Sequence, residues 1–177
     1  KIIKLFLMKT NLKKLKLFLA GHNGMVGSSI YSFLKKQNFQ NIIIKNRKQL
    51  NLCDQEKVDR FFKKTKPDII INCAGRVGGI LANSSYPVEF LDENILIQIN
   101  LIKSAYKYKI KHFINLGSSC IYPRNSKQPI KEDYLLSGRL EKTNEAYALA
   151  KISGVKLSEY LFCQKKMDVI CIMPTNL

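Results

Sequence analysis

Five short apolar runs punctuate this chain: Leu15–Ala20, Ile42–Ile44, Asp68–Asn72, His112–Leu116 and Val169–Met173. They are nearly continuous rather than alternating, which suits strands buried on both faces. Between them the apolar positions recur at helical spacing. From Met25 to Gln37, residues Val26, Ile30, Phe33 and Leu34 share one side. Asp54 is a good N-cap for a helix running to about Thr65, with Val58, Phe61 and Phe62 inward. A longer helix is predicted from Pro87 to about Tyr108 and another from Asn144 to about Gln164. Pro67 and Pro174 act as stops. Strand and helix alternate with no internal repeat and no low-complexity linker. The predicted architecture is therefore α/β, a doubly wound parallel sheet covered on both faces.

The turn after the first strand adds a binding function to that architecture. Gly21-His22-Asn23-Gly24-Met25-Val26-Gly27 leaves the strand and opens the first helix. Glycines there permit a tight turn and let backbone N–H groups approach a pyrophosphate at a helix N-terminus, so a dinucleotide-binding Rossmann domain is expected. The end of the second strand bears on which dinucleotide. A carboxylate there would take the ribose 2′-hydroxyl of NAD, but Lys45-Asn46-Arg47-Lys48 contains none. Arg47 can meet a 2′-phosphate with a planar fork, which points to NADP(H).

Reactive side chains gather after the fourth strand. Tyr147-Ala148-Leu149-Ala150-Lys151 sets a phenol and an ammonium one helical turn apart on one face. The cation is expected to lower the tyrosine pKa and make the phenol usable in proton transfer. Leu116-Gly117-Ser118-Ser119-Cys120 leaves the carboxyl end of the fourth strand, where ligands bind in open α/β sheets. A Ser118-Tyr147-Lys151 set fits carbonyl reduction by a nicotinamide cofactor. Cys120, on the same loop, carries a thiol suited to moving an acidic proton beside a ketone.

Length and composition narrow the field. The chain has 177 residues, 46% of them hydrophobic, enough for one domain with a sizeable core. Its formal net charge of +17 invites a nucleic-acid reading. The lysines are scattered, however, as in Lys13-Lys14, Lys35-Lys36, Lys63-Lys64 and Lys165-Lys166, so a solvated surface is expected and no nucleic-acid partner. No apolar run is long enough to cross a bilayer, so no membrane partner is expected either, and the location is expected to be cytoplasmic. Residues 1–14 read as a leader, with Met8 as a candidate start. The five cysteines include no CxxC pair; neither a disulfide framework nor a metal site is expected.

Taken together, several segments resemble the GDP-L-fucose synthases, a family of extended short-chain dehydrogenase/reductases. They are Gly21-His22-Asn23-Gly24-Met25-Val26-Gly27-Ser28, Val77-Gly78-Gly79-Ile80 with Ala82-Asn83, Gly117-Ser118-Ser119-Cys120-Ile121-Tyr122-Pro123, Thr143 to Lys151, and Met173-Pro174-Thr175-Asn176-Leu177. The likeness runs from about Leu15 to the last residue. It implies inversion of C3 and C5 of GDP-4-keto-6-deoxy-D-mannose, then NADPH-dependent reduction at C4. By position it makes Tyr147 the reductive acid, Lys151 its partner, Ser118 the substrate hydrogen-bonder and Cys120 the epimerisation cysteine. Gly21 to Gly27 would hold the pyrophosphate. Arg47, Lys48, Asn51 and Leu52 would surround the adenosine end. Leu116, Gly117, Ser118 and Ser119 would line the nicotinamide side with Lys151, joined by Pro174, Thr175, Asn176 and Leu177. Relatives commonly pair as homodimers through the two long helices.

Two departures stand out: Asn23 where relatives often carry an arginine, and Gly75-Arg76 for a usual Ala-Lys pair. The resemblance further implies that 15–177 is an incomplete NADP-binding domain. The family's epimerisation histidine and most of its GDP-sugar contacts would lie beyond Leu177, leaving residues 1–177 inactive alone. Rival readings are another NAD(P)-dependent nucleotide-sugar epimerase or dehydratase, and a non-catalytic cofactor- or nucleic-acid-binding remnant.

Overall fold

The computed structural model describes residues 12–175. Its strands are β1 (Leu17–Ala20), β2 (Ile42–Ile44), β3 (Ile69–Asn72), β4 (His112–Leu116) and β5 (Val169–Ile172). The helices between them are α1 (Met25–Lys36), α2 (Gln55–Thr65), α3 (Ile80–Ser85), α4 (Pro87–Lys107) and α5 (Glu145–Lys165). All the strand pairs are parallel, in the order β2-β1-β3-β4-β5. The chain steps from β1 to β2 in one direction and returns across β1 to β3. The carboxyl ends of β1 and β3 therefore form the switch point, where an open α/β sheet leaves a crevice for a ligand.

The expected doubly wound α/β sheet is present, and its apolar runs serve two cores. Phe18, Ile70 and Phe113 face Val58 and Phe62 of α2 and Ile97 and Leu101 of α4. Leu17, Leu19, Ile69, Ile71 and Ile114 face the other way, onto Leu34 of α1 and Phe39. Burial on both faces is why the strands read as continuous rather than alternating.

Boundaries shift where polar groups find other partners. The Lys16 N–H donates to the Asp68 carboxylate at 3.0 Å, and the Asp68 N–H donates to the Lys16 carbonyl at 2.8 Å. These bonds hold both residues outside the ladders that the apolar pattern assigned to them. The expected N-cap is found: the Lys57 N–H donates to Asp54 Oδ1 at 3.0 Å. Helix α3 was not expected, because six residues are too few to display a period.

Residues 1–11, which cover most of the expected leader and Met8, lie outside the described residues. Leu12–Lys14 form a 3-10 turn that packs on the domain: Leu12 sits against the α1-side core and the Asn41 amide donates to the Lys14 carbonyl at 2.8 Å.

A chain of buried amides pins α4 and α5 to the sheet. Asn72 Nδ2 donates to Asn115 Oδ1 at 2.9 Å, Asn115 Nδ2 to Gln98 Oε1 at 3.1 Å, and Gln98 Nε2 to the Ala150 carbonyl at 2.8 Å. Gly154 makes the close approach of α5 possible: a Cβ there would lie 2.1 Å from Gln98 Oε1. Among the described residues no helix is long and apolar enough to cross a membrane.

Candidate active site

At the switch point the glycine turn is held in a shape only glycine permits. Gly21 has φ +79°, and a Cβ on it would sit 2.6 Å from the Ala74 nitrogen at the end of β3. A Cβ on Gly27 would sit 2.0 Å from the Gly21 carbonyl oxygen. Gly24 is the N-cap of α1, so the amides of Met25 and Val26 open the helix without intrahelical acceptors. His22 Nδ1 is buried there with no hydrogen-bond partner.

Two adjoining clefts leave this turn. The first, about 420 Å³, is lined by Gly21, Gly24, Met25, Val26 and Gly27, by Arg47, Asn51 and Leu52, and by Gly75, Arg76, Val77 and Glu93 from the other side. The second, about 190 Å³, shares Val26, Gly75 and Val77 and is closed by Leu116, Gly117, Ser118, Tyr147, Lys151, Pro174 and Thr175. Their run from the glycine turn to the tyrosine suits an extended dinucleotide. The cradle of α1 amides and the cation Arg47 fit its phosphates, whereas His22 lines neither cleft. Lys48 and Asn23 stand exposed outside the clefts, Ser119 lies in a neighbouring pocket, and Asn176 and Leu177 lie outside the described residues.

Arg47 does not stand alone. Its guanidinium is 3.1 Å from one oxygen of Glu93, and Arg76 meets the other at 2.8 Å. Arg76 is held at its backbone as well. Its N–H donates to Asn94 Oδ1 and its carbonyl accepts from Asn94 Nδ2, each at 3.0 Å, while its guanidinium lies 5.5 Å from the Phe90 ring centroid. Sequence reasoning did not find Glu93 or Asn94, since a carboxylate or amide in the middle of a long helix reads as a surface residue.

The loop after β4 is fastened to the loop after β5. The Gly117 N–H donates to the Ile172 carbonyl at 2.8 Å and the Ser119 N–H to the Pro174 carbonyl at 3.1 Å. Ser118 caps the short turn Ser119–Ile121, accepting from the Cys120 N–H at 3.4 Å. Opposite, α5 brings Lys151 inward, where Nζ donates to the Leu116 carbonyl at 2.8 Å. The Tyr147 ring packs edge-on against Phe90, with centroids 6.5 Å apart.

The electrostatics differ from the expectation for Tyr147. Burial pushes its phenol up to about 12, and the nearby Cys120 thiol adds to the rise. Lys151 does not counter the rise, because with a pKa of about 8 it has lost its charge before the phenol titrates. Burial also brings Lys151 down to about 8. The Cys120 thiol is raised by burial, against the pull of the Ser118 hydroxyl and the Lys151 charge. The result is a buried phenol, an ammonium brought down to about 8 and a thiol within one electrostatic neighbourhood.

Comparison with known proteins agrees with this geometry. Residues 17–177 match the model of the NAD dependent epimerase/dehydratase family. The chain is 47% identical over 165 residues to GDP-L-fucose synthase 1 of Arabidopsis thaliana, covering 93% of this chain and 51% of that protein. It is 43% identical over 166 residues to GDP-L-fucose synthase of Escherichia coli K12, covering 94% and 52%. A solved structure of MlghC, a GDP-mannoheptose C4 reductase from Campylobacter jejuni with NADP bound, superposes with a TM-score of 0.89 at 34% identity, covering 93% of this chain and 52% of that one. The chain thus spans about half the length of the curated relatives it matches. With the glycine cradle, the parallel sheet and the family match in agreement, this chain belongs to the NAD dependent epimerase/dehydratase family.

Proposed function

We propose that the protein carrying this chain is a GDP-L-fucose synthase, which epimerises GDP-4-keto-6-deoxy-D-mannose at C3 and C5 and reduces it at C4 with NADPH. The observation that carries this reading is the convergence of Ser118, Tyr147 and Lys151 at the end of a dinucleotide-shaped cleft, with Cys120 beside them. The identity to fucose synthases over nearly the whole chain supports the sugar. The NADP bound in the similar reductase supports the cofactor.

Gly21, His22, Asn23, Gly24, Met25, Val26 and Gly27 hold the pyrophosphate in this reading, and Arg47, Lys48, Asn51 and Leu52 the adenosine end. Leu116 to Ser119, Lys151 and Pro174 to Leu177 form the nicotinamide side. Bound there, NADPH supplies the reducing equivalent. Ser118 donates a hydrogen bond to the C4 oxygen and Tyr147 donates the proton. A phenol pushed up to about 12 stays protonated at neutral pH, which suits a donor better than a base. Lys151 supplies positive charge beneath it. Cys120 takes the acidic proton beside the ketone, and a second acid, for which the resemblance implies a histidine, protonates the opposite face of the sugar. Two copies pair through α4 and α5, whose Tyr106 and Tyr160 stand exposed. The protein is cytoplasmic, with neither nucleic acid nor membrane as a partner.

The test is an assay of the full-length protein with NADPH and GDP-4-keto-6-deoxy-D-mannose, with products identified by NMR. GDP-L-fucose is expected from the wild type. Cys120→Ser is expected to block inversion while some C4 reduction survives. No NADPH oxidation on this sugar would overturn the reading.

A further inference from the structure

The adenosine end of the cleft holds a carboxylate between its two arginines, which the proposed reaction does not require. Glu93 is only 18% exposed at its side chain, whereas Arg47 is 71% exposed. Arg76 is the fixed member of the trio, clamped at its backbone by Asn94 and resting on Phe90. Glu93 rises from the interior of α4, so its backbone is fixed too. Its carboxylate is therefore firmly placed, and Arg47 is the partner free to exchange.

We propose that Glu93 is a specificity-determining residue that holds Arg47 and Arg76 across the cleft and so restrains selectivity for a 2′-phosphate. This rests on reading the cleft as an NADP(H) site. Two guanidinium groups and one carboxylate leave a single net positive charge at the rim. To grip a 2′-phosphate, Arg47 must leave an ion pair, and the phosphate must approach a carboxylate of like sign. Both effects oppose NADPH and leave NADH untouched. The end of β2 offers no carboxylate to a ribose 2′-hydroxyl, so Glu93, reaching in from α4, is the acidic lining of this cleft. The exposed Asn23 adds no cation to offset it. Cofactor choice is thus graded by the balance between Glu93 and Arg47 rather than set by the end of β2 alone.

The test is calorimetric titration of the full-length protein with NADPH and with NADH, without substrate. Glu93→Gln keeps the shape and removes the charge. It is expected to tighten NADPH about three- to fivefold, the order of a partly exposed ion pair, with no gain for NADH. Glu93→Asp, which stays on Arg76 and withdraws from Arg47, is expected to shift NADPH affinity in the same direction by less. In an Arg47→Ala background, Glu93→Gln is expected to tighten NADPH by less, because only the repulsion between carboxylate and phosphate is left to relieve. Unchanged or weakened NADPH binding in whichever Glu93 variant folds overturns the proposal. Equal tightening with and without Arg47 overturns it too. A wild type that binds neither nucleotide removes the cofactor-site reading and this inference together. A wild type that binds NADPH, with variants that do not respond, removes the role of Glu93 alone.

Discussion

Lys151 and Leu116 are joined by a 2.8 Å hydrogen bond from ammonium to carbonyl, which ties the first half of α5 to the last residue of β4. The bond fixes the lysine where the fold pays most to keep it charged, because the side chain is buried and its pKa falls from 10.5 to about 8.

Replacing this lysine is expected to stabilise the protein while abolishing reduction. Between pH 8 and 10.5 the unfolded chain binds more protons at Lys151 than the folded one, so this group's contribution to stability rises with pH across that window. Below it the charged lysine costs up to roughly 3 kcal/mol, offset by about 1 kcal/mol for the bond to Leu116. Lys151→Met should therefore gain about 1–2 kcal/mol at pH 7, seen as a higher Tm, with the gain shrinking toward pH 10.5. A lower Tm at pH 7 would contradict this.

The same group is expected to set an alkaline limit on the proposed reduction. If the ammonium supports proton delivery by Tyr147, kcat/KM for the keto sugar should fall tenfold per pH unit above about 8, as Lys151 deprotonates. Lys151→Arg, which stays charged, should retain a flat profile through pH 9 at lower absolute activity. A pH–rate profile of both proteins decides it, and an identical limb in the two would assign the titration elsewhere.

Glycines of similar appearance should differ in effect. Gly27→Ala places a methyl group 2.0 Å from the Gly21 oxygen, so the turn must open. NADPH binding should be lost, with about 1–3 kcal/mol of stability. Gly79→Ala meets nothing within 4 Å at φ −68°. Its weaker helix cap and stiffer unfolded chain offset each other, leaving stability within about 0.5 kcal/mol. Chemical denaturation and nucleotide titration of the pair provide the comparison.

Gln98→Leu should be among the most damaging substitutions away from the clefts. It leaves Asn115 Nδ2 buried without its Gln98 partner and removes the bond from Gln98 to the Ala150 carbonyl, which keeps its place in the helix ladder. A cost of about 1–3 kcal/mol follows from one such group, measurable by denaturant unfolding.

What could be read in advance depended on how local its cause was. The glycine turn, the Asp54 cap and the Tyr147–Lys151 pair depend on neighbours in sequence, and each is found where the spacing put it. The ends of β1 and β3 were misjudged because Lys16 and Asp68 satisfy each other across 52 residues. Gln98 and Asn94 look like surface amides on a helix until the strands and loops that they bond are in place. The rise in Tyr147 pKa was illegible for a related reason. Spacing put the ammonium near the phenol, but only packing buries both, raising the phenol and discharging the lysine.

Asn94 has a mechanical consequence. One amide of α4 grips both the N–H and the carbonyl of Arg76, and a Cβ on the adjoining Gly75 would come within 2.7 Å of the same side chain. The floor of the cleft therefore travels with the helix as one rigid lever. The other end of α4 displays Tyr106 to the outside, about three turns away. Because Gln98 of the same helix is bonded to Asn115 in the sheet and to the Ala150 carbonyl, the aperture between Arg76 and Arg47 is set by the packing that seats α4.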